Sequence, residues 1–487
     1  MEKENYNLVP IVREMPADFE TPLSAYLKIS GNAPSFLLES ITGGEQVARY
    51  SFMGSGLKKA YVLRERALYV HTPEGVEEIE FSTDDDPMTM LRKRLHEYEP
   101  KLIPGLPRFT GGLVGYLSYD TMRHFEPSVS LSAHTTTPEA IFLLADTLVA
   151  YDHAFGKMLL IANAYLNGDP DAAYADAEKR LDDLEALLKA PLPTLPTSTG
   201  NQAEATLESN VSYEHFTDAV RQAKEHIAAG DIFQVVLAQR LSRKTSAHPF
   251  NIYRSLRRLN PSPYMFYFDF DGLAGDEPLH IIGASPELHT RLEDGRAAVR
   301  PIAGTRKRGA TPEEDNELAL GLLADPKECA EHVMLVDLGR NDLGRVCEYG
   351  SVQVMEQMTI EKYSHVMHIV SHVEGELRPE YDAFDLLRAT FPAGTVSGAP
   401  KIRAMQIIQE LEGEPRGPYA GIIGYFSYDG SFDSCIAIRT LVMRGDEVSI
   451  QAGAGVVADS DPDSEYHETL NKARALAVAV DMAEREA

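Results

Sequence analysis

The chain has 487 residues, 44% hydrophobic and 25% charged, the balance of a soluble globular protein with length for two or more packed units. Its 74 acidic against 46 basic side chains give a formal net charge of −28, which argues against the clustered positive charge that nucleic-acid and anionic-membrane binding require. Three cysteines in unrelated contexts, Cys329, Cys347 and Cys435, exclude a dense disulfide framework and a CxxC metal site and point to a reducing compartment.

The first residues, MEKENYNLVPIVREMPADFE, are acidic and lack a positive segment followed by an apolar run. No stretch approaches the roughly 18 apolar residues of a membrane span, so a cytoplasmic protein is expected. YVLRERALYVHTPEGVEEIEF reads as a hairpin, and GVEEIEFSTDDD, Gly75 to Asp86, as a solvated strand and loop. GGLVGYLSYD and EAIFLLADTLVAYD read as strands. The charged helical stretch DAAYADAEKRLDDLEALLKA then gives way to APLPTLPTSTGNQAEATLESN, rich in Pro, Ser and Thr. This predicts an N-terminal α+β region over 1–190, a linker over 191–210 and a second unit over 211–487.

In the second unit Ser212 can cap a helix with Phe216, Val220, Ala223 and Ile227 on one face, ending near Gly230. IFQVVLAQR, YMFYFDF and LHIIGASPELHTRL read as strands, and Pro312 to Leu338, Ala383 to Thr390 and KIRAMQIIQELE as helices. The segment GIIGYFSYDGSFDSCIAIRTLVMRGDEVSIQAGAGVV reads as three strands joined by tight turns. Hairpins mixed with helices favour an α+β fold of mainly antiparallel sheets with helices packed outside.

The helical stretch KECAEHVMLVDLGRND places Glu328 and Glu331 on one face, and SEYHETLNKA repeats the spacing with Glu465 and Glu468. Such pairs are compatible with solvated helix faces or with hard oxygen ligands for Mg²⁺. Zinc is disfavoured, because no HExxH motif and no second cluster of soft ligands accompanies Cys329 and His332.

Further motifs follow in order: GASPE (Gly283 to Glu287), PIAGTRKRG (Pro301 to Gly309), SHVMHIV (Ser364 to Val370), FPAGTVSGAPK (Phe391 to Lys401), GPYAGIIGYF (Gly417 to Phe426), CIAIRT (Cys435 to Thr440) and QAGAGVV (Gln451 to Val457). Singly, each fits a bulge, a turn or a core strand. Together, with PKECAEHVMLVDLGRNDLGRV, they closely resemble the chorismate-utilising enzymes, and within them the family of anthranilate synthase synthase components, over roughly Ser212 to Val478.

The resemblance implies the two-lobed fold of that family and a Mg²⁺ ion held by Glu331 and Glu468, with Glu328 and Glu465 binding directly or through water. It implies that Arg439 and Tyr419 hold the enolpyruvyl carboxylate of chorismate, a task suited to a guanidinium fork. Gly304, Thr305, Gly453, Ala454 and Gly455 would line the substrate, as would Gln234, Thr395 and Lys472. Glu287 matches the acid that protonates the departing 4-hydroxyl, and His368 the histidine associated with the elimination step. Relatives that use water as nucleophile carry a lysine where this chain has Gln234, and those making 4-amino-4-deoxychorismate carry one where it has Ala303. Neither residue can act as that base or nucleophile, so amination to anthranilate is the implied activity.

No cysteine lies in the Gly-x-Cys-x-Gly turn of a glutamine amidotransferase nucleophile. The resemblance therefore implies a separate amidotransferase subunit supplying ammonia, in a heterotetramer. Finally LLES (Leu37 to Ser40) and NPSPYMFY (Asn260 to Tyr267) resemble the family's feedback site for L-tryptophan, with Ser40, Pro263, Tyr264 and Met265 as the contacts.

Overall fold

The structure, a computed structural model, describes residues 6–41, 49–82, 86–132, 136–195, 206–363 and 366–485. Residues 196–205 of the expected linker, 83–85 of the acidic run and Ser364 lie outside the described residues.

Alternating apolar strands generate two 12-stranded sheets, and every ladder between their strands is antiparallel. In the first, strands from before residue 190 join the later ones where Ser35–Glu39 pairs with Tyr264–Asp269. In the second, the corresponding join is Gly112–Leu117 against Ile422–Ser427. Aromatic and aliphatic residues of both sheets, among them Phe36, Phe52, Tyr116, Phe266, Phe268 and Ile423, form the core between them. The helices Pro22–Ile29, Pro170–Lys189, Pro249–Leu259 and Pro462–Arg485 contribute to the core on the outer face of the first sheet. Pro87–Leu95, Pro326–Gly344 and Ala383–Thr390 do the same on the second. The result is the expected α+β architecture, in four layers.

Helix ends follow their capping residues. Ser212 Oγ accepts from His215 N at 3.1 Å, and Gly230 closes the helix Tyr213–Ala229 at φ 83°. The expected helix from Pro312 to Leu338 is instead two, Pro312–Leu323 and Pro326–Gly344. Asp325 caps the second, accepting from Lys327 N at 3.0 Å and Glu328 N at 3.3 Å, while Pro326 cannot continue the first. The C-terminal run holds four strands rather than three, because Thr440–Arg444 and Glu447–Val456 form their own hairpin after Ile422–Ser427 and Phe432–Ile436. The expected hairpin near residue 60 is a three-stranded meander, Ala60–Arg64, Ala67–Thr72 and Gly75–Glu80. Cys347 and Cys435 are buried, Cys329 is partly so, and all three are free thiols. Among the described residues no helix is long and apolar enough to cross a membrane.

Candidate active site

Two backbone reversals at the strand ends bring the first pair of candidate residues together. Ala420 N donates to Ala437 O at 3.1 Å and Ala437 N to Gly421 O at 2.8 Å, extending the ladder between Ile422–Ser427 and Phe432–Ile436. Tyr419 and Arg439 flank this extension. Arg439 adopts the left-handed conformation, φ 51°, and Ala420 does so at φ 65°. Non-glycine residues there cost on the order of 1–3 kcal/mol, and such positions cluster at functional sites. The Arg439 guanidinium makes no hydrogen bond or ion pair among the described residues. Burial lowers its pKa, against the fields of Tyr419, Glu468 and Glu287, so these three groups surround one desolvated positive charge.

Glu287 is 5% exposed and lies just beyond the strand Leu279–Ser285. Its Oε1 accepts from Thr395 Oγ1 at 2.6 Å, and its main-chain carbonyl accepts from Ile436 N at 3.1 Å. Burial pushes the Glu287 pKa up to about 8, although the Thr395 hydroxyl, the Ile302 N–H and Arg439 all oppose the rise. At neutral pH this carboxyl is mainly protonated, a proton donor ready for use.

Across the cleft, a register shift between Ala303 and Thr305 lets Gly304 take φ 70°. A Cβ there would sit 3.2 Å from Glu328 Oε2 and 3.1 Å from Ile369 Cδ1, so glycine admits the carboxylate to the strand edge. His368 Nδ1 lies 3.1 Å from Gly304 O and 3.0 Å from Thr305 Oγ1. A carbonyl oxygen only accepts, so the proton belongs on Nδ1 and the lone pair on Nε2. Burial lowers the His368 pKa and Arg439 adds to the effect, which keeps the ring neutral.

The floor comes from two paired strands, Gln234–Lys244 and Glu447–Val456. Gly453 runs against the Tyr419 hydroxyl, 2.7 Å from where its Cβ would be, and its carbonyl accepts from Lys472 Nζ at 2.8 Å. Ala454 is wholly buried beside it, and Gly455 lies under the Gln234 amide, again 2.7 Å from its would-be Cβ. Gln234 Nε2 donates to Glu331 Oε1 at 3.1 Å, whereas Gln234 Oε1 is buried with no partner among the described residues.

The four helix glutamates stand as two pairs. Burial raises the Glu328 pKa, and Glu331 raises it further. Burial likewise raises that of Glu465, with Glu468 adding to it, while the field of Lys327 reaches and lowers both Glu328 and Glu465. Lys472 pairs with Glu468 at 2.6 Å. No three His, Cys, Asp or Glu side chains converge at metal-binding distance among the described residues. Lys472 and Gln234 relieve only one carboxylate of each pair directly, and the groups on offer, four carboxylates and the Gln234 amide oxygen, are all oxygen donors. They fit a cation that takes one or two carboxylates and fills the rest of its shell with water and substrate oxygens.

Comparison with known proteins identifies the family. A family model for chorismate binding enzymes matches residues 35–478. Anthranilate synthase component 1 of Aquifex aeolicus is 47% identical over 99% of this chain and 96% of its own. The chain belongs to the anthranilate synthase component 1 family. The crystal structure of anthranilate synthase component I from Streptococcus pneumoniae superposes with a TM-score of 0.77 at 37% identity, covering 95% of this chain and 98% of that one. A menaquinone-specific isochorismate synthase from Escherichia coli shares the fold, with a TM-score of 0.72 at 20% identity over 98% and 95% of the two chains.

This member of the anthranilate synthase component 1 family has a second cavity, enclosing about 550 Å³ including its open mouth, where the two inter-segment joins face each other. Ser40, Pro263, Tyr264 and Met265 all line it. Ser40 Oγ is buried without a partner among the described residues. Tyr264 Oη donates to Asp433 Oδ1 at 3.1 Å and accepts from Arg291 Nη2 at 3.1 Å, while Arg291 Nε donates to Asp433 Oδ2 at 3.0 Å. Sequence motifs do not single out Arg291, Asp433 or Arg108 on this wall, nor the buried Arg416 and Asp120 behind Tyr419. Their signal is burial of charge, which appears only once the strands are paired.

Proposed function

We propose that this chain is the synthase component of an anthranilate synthase, replacing the 4-hydroxyl of chorismate by amination at C2 and then eliminating pyruvate. The observation that carries the reading is the half-buried Arg439 guanidinium, unpaired among the described residues and within the fields of Tyr419, Glu468 and the protonated Glu287. A dianionic substrate supplies the anion this charge lacks, with Tyr419 and Lys472 on the same wall. Glu287 gives its proton to the departing hydroxyl, which leaves as water while ammonia adds at C2. The ammonium formed at C2 returns a proton to the Glu287 carboxylate; the neutral His368 then accepts the C2 proton at Nε2 as the C3–O bond breaks, and the released enolpyruvate takes a proton at its methylene carbon to become pyruvate. Glu331 and Glu468, with Glu328 and Glu465 around them, would hold Mg²⁺. When bound, the ion neutralises the ring carboxylate of the substrate. Gln234 and Ala303 leave no side-chain base for water and no amine for covalent attachment, which favours ammonia as nucleophile.

The test is incubation of the purified chain with chorismate, Mg²⁺ and ammonium at alkaline pH, read by anthranilate fluorescence. Formation of anthranilate is expected, and no product with free ammonia would refute the reading. Glu331→Gln and Glu468→Gln should each lower turnover at least about tenfold with the fold retained, as loss of a carboxylate ligand weakens Mg²⁺ binding. Unchanged turnover at every Mg²⁺ concentration would remove those residues from the metal site.

A cytoplasmic glutamine amidotransferase subunit would furnish ammonia in the cell, in a heterotetramer with this chain. The second cavity suits L-tryptophan in size, with an orphan hydroxyl at Ser40 and polar groups around Tyr264 and Asp433 to meet the amino-acid end. Feedback inhibition through it would commit the chain to tryptophan biosynthesis. Because the chain contains no tryptophan, added L-tryptophan, excited beyond the absorption of the 22 tyrosines, fluoresces with no protein tryptophan background. A saturable change with matching inhibition is expected, and its loss in Ser40→Phe would locate the site; undiminished binding in that variant would move it elsewhere.

A further inference from the structure

We infer that Asp120 is a positioning residue for the chorismate site, lent by the N-terminal segment and acting through Arg416 and Gly417 on Tyr419; this rests on reading Tyr419 as a substrate contact. Asp120 is fully buried, and each of its oxygens accepts one main-chain N–H, from Arg416 at 3.1 Å and from Gly417 at 2.7 Å. The neighbouring Tyr119 N donates back to Gly417 O at 3.0 Å. This clamp fixes the backbone just before Tyr419.

It also aims the Arg416 side chain, only 1% exposed. Arg416 Nη1 donates to Val396 O and Nη2 to Val236 O, each at 2.7 Å, and Nε to Glu412 Oε2 at 2.8 Å. The guanidinium lies 4.6 Å from the ring centre of Tyr119 and 5.6 Å from that of Tyr419. Val396 adjoins Thr395, the partner of Glu287, and Val236 lies on the strand that begins with Gln234. One side chain thus ties two segments that would face the substrate to the one that carries Tyr419.

A residue that only filled space here would be apolar. Burial instead drives the Asp120 pKa up to about 7 even though two N–H groups favour the charged form, with Glu139 raising it and Arg416 lowering it. Retaining a carboxylate at that cost makes sense where both oxygens are needed as acceptors at once.

A double-mutant cycle on the full chain tests this, with Asp120→Asn, Tyr419→Phe and their combination assayed for chorismate KM and kcat with ammonium and Mg²⁺. Asn keeps the shape of Asp120 but turns an NH₂ toward one of the two N–H donors. Each single variant should raise KM about fivefold to tenfold, the scale of one lost hydrogen bond, with kcat within about threefold and the circular dichroism unchanged. The double variant should be no worse than Tyr419→Phe alone, because the two changes remove the same contact. KM raised in Tyr419→Phe but unchanged in Asp120→Asn, or effects that multiply in the double variant, would overturn the positioning role alone. Unchanged KM in Tyr419→Phe would overturn the substrate reading and the positioning role together. Should Asp120→Asn fail to fold, Asp120→Ser, which keeps one acceptor of the two, takes its place in the same cycle and is judged by the same outcomes.

Discussion

Replacing Glu287 by Gln is expected to lower anthranilate formation by about 10²- to 10⁴-fold, the usual worth of a positioned acid, while making the protein more stable at alkaline pH. Both effects follow from one environment. The carboxyl is desolvated, so the neutral form prevails up to a pKa of about 8, far above the ordinary 4.5. Hydroxide is a poor leaving group, and Gln has no proton to give it. For stability, the folded pKa lies above the unfolded one because the charged form is disfavoured, so the native state binds more protons between these values. Stability therefore falls as pH rises from about 4.5 to about 8 and is constant above, a cost on the order of a few kcal/mol that Gln removes. The checks are a turnover profile at fixed free-ammonia concentration, breaking downward above about pH 8 in the parent protein, and thermal melting of both proteins at pH 5 and 9. Full turnover in Glu287→Gln, or a melting difference that does not grow with pH, would show that the carboxyl is not the acid described.

Arg439→Met should weaken chorismate binding by about 10²- to 10³-fold, the 2–5 kcal/mol typical of removing one partner from a buried charge pair. It should do so without destabilising the free protein. An unpaired buried cation costs folding energy, and an apolar side chain of similar length is neutral or stabilising in its place. The measurements are chorismate KM and urea unfolding without substrate. A parallel drop in stability and no change in KM would mean that the guanidinium serves the fold rather than the substrate. Net charge is a poor guide to this site: a chain at −28 still concentrates Arg439, Lys472 and Lys327 about one cleft.

Much of this arrangement is legible in the sequence where the cause is local. The cap at Ser212, Gly230 at a helix end and the alternation of YMFYFDF each act within a few residues, and the elements form where they predict. The break at Asp325 was equally local, but an unbroken polar and apolar pattern on both sides masks it until the cap itself is considered. The glutamate pairs are visible as spacing, whereas the burial that raises the pKa of Glu328 and of Glu465 appears only in the folded chain. Asp120 is opaque for the opposite reason. Nothing in SYD marks its carboxylate, whose partners Arg416 and Gly417 lie nearly three hundred residues away. The cavity lined by Ser40 and Tyr264 is similarly non-local, because its walls meet only after both sheets have closed.

The two joins between early and late strands carry a consequence for how the chain holds together. Glu39 pairs with Met265 in one sheet and Leu117 with Ile422 in the other, so the segments before and after the expected linker share both sheets as continuous ladders. Parted, the early segment would present Ser35–Glu39 and Gly112–Leu117 as raw edges, and the later one Tyr264–Asp269 and Ile422–Ser427. Each is a row of unsatisfied amides and carbonyls of the kind that recruits foreign strands into aggregates. Each segment is thus the other's guard against misassembly, and a sequence change at either join bears on solubility as much as on catalysis.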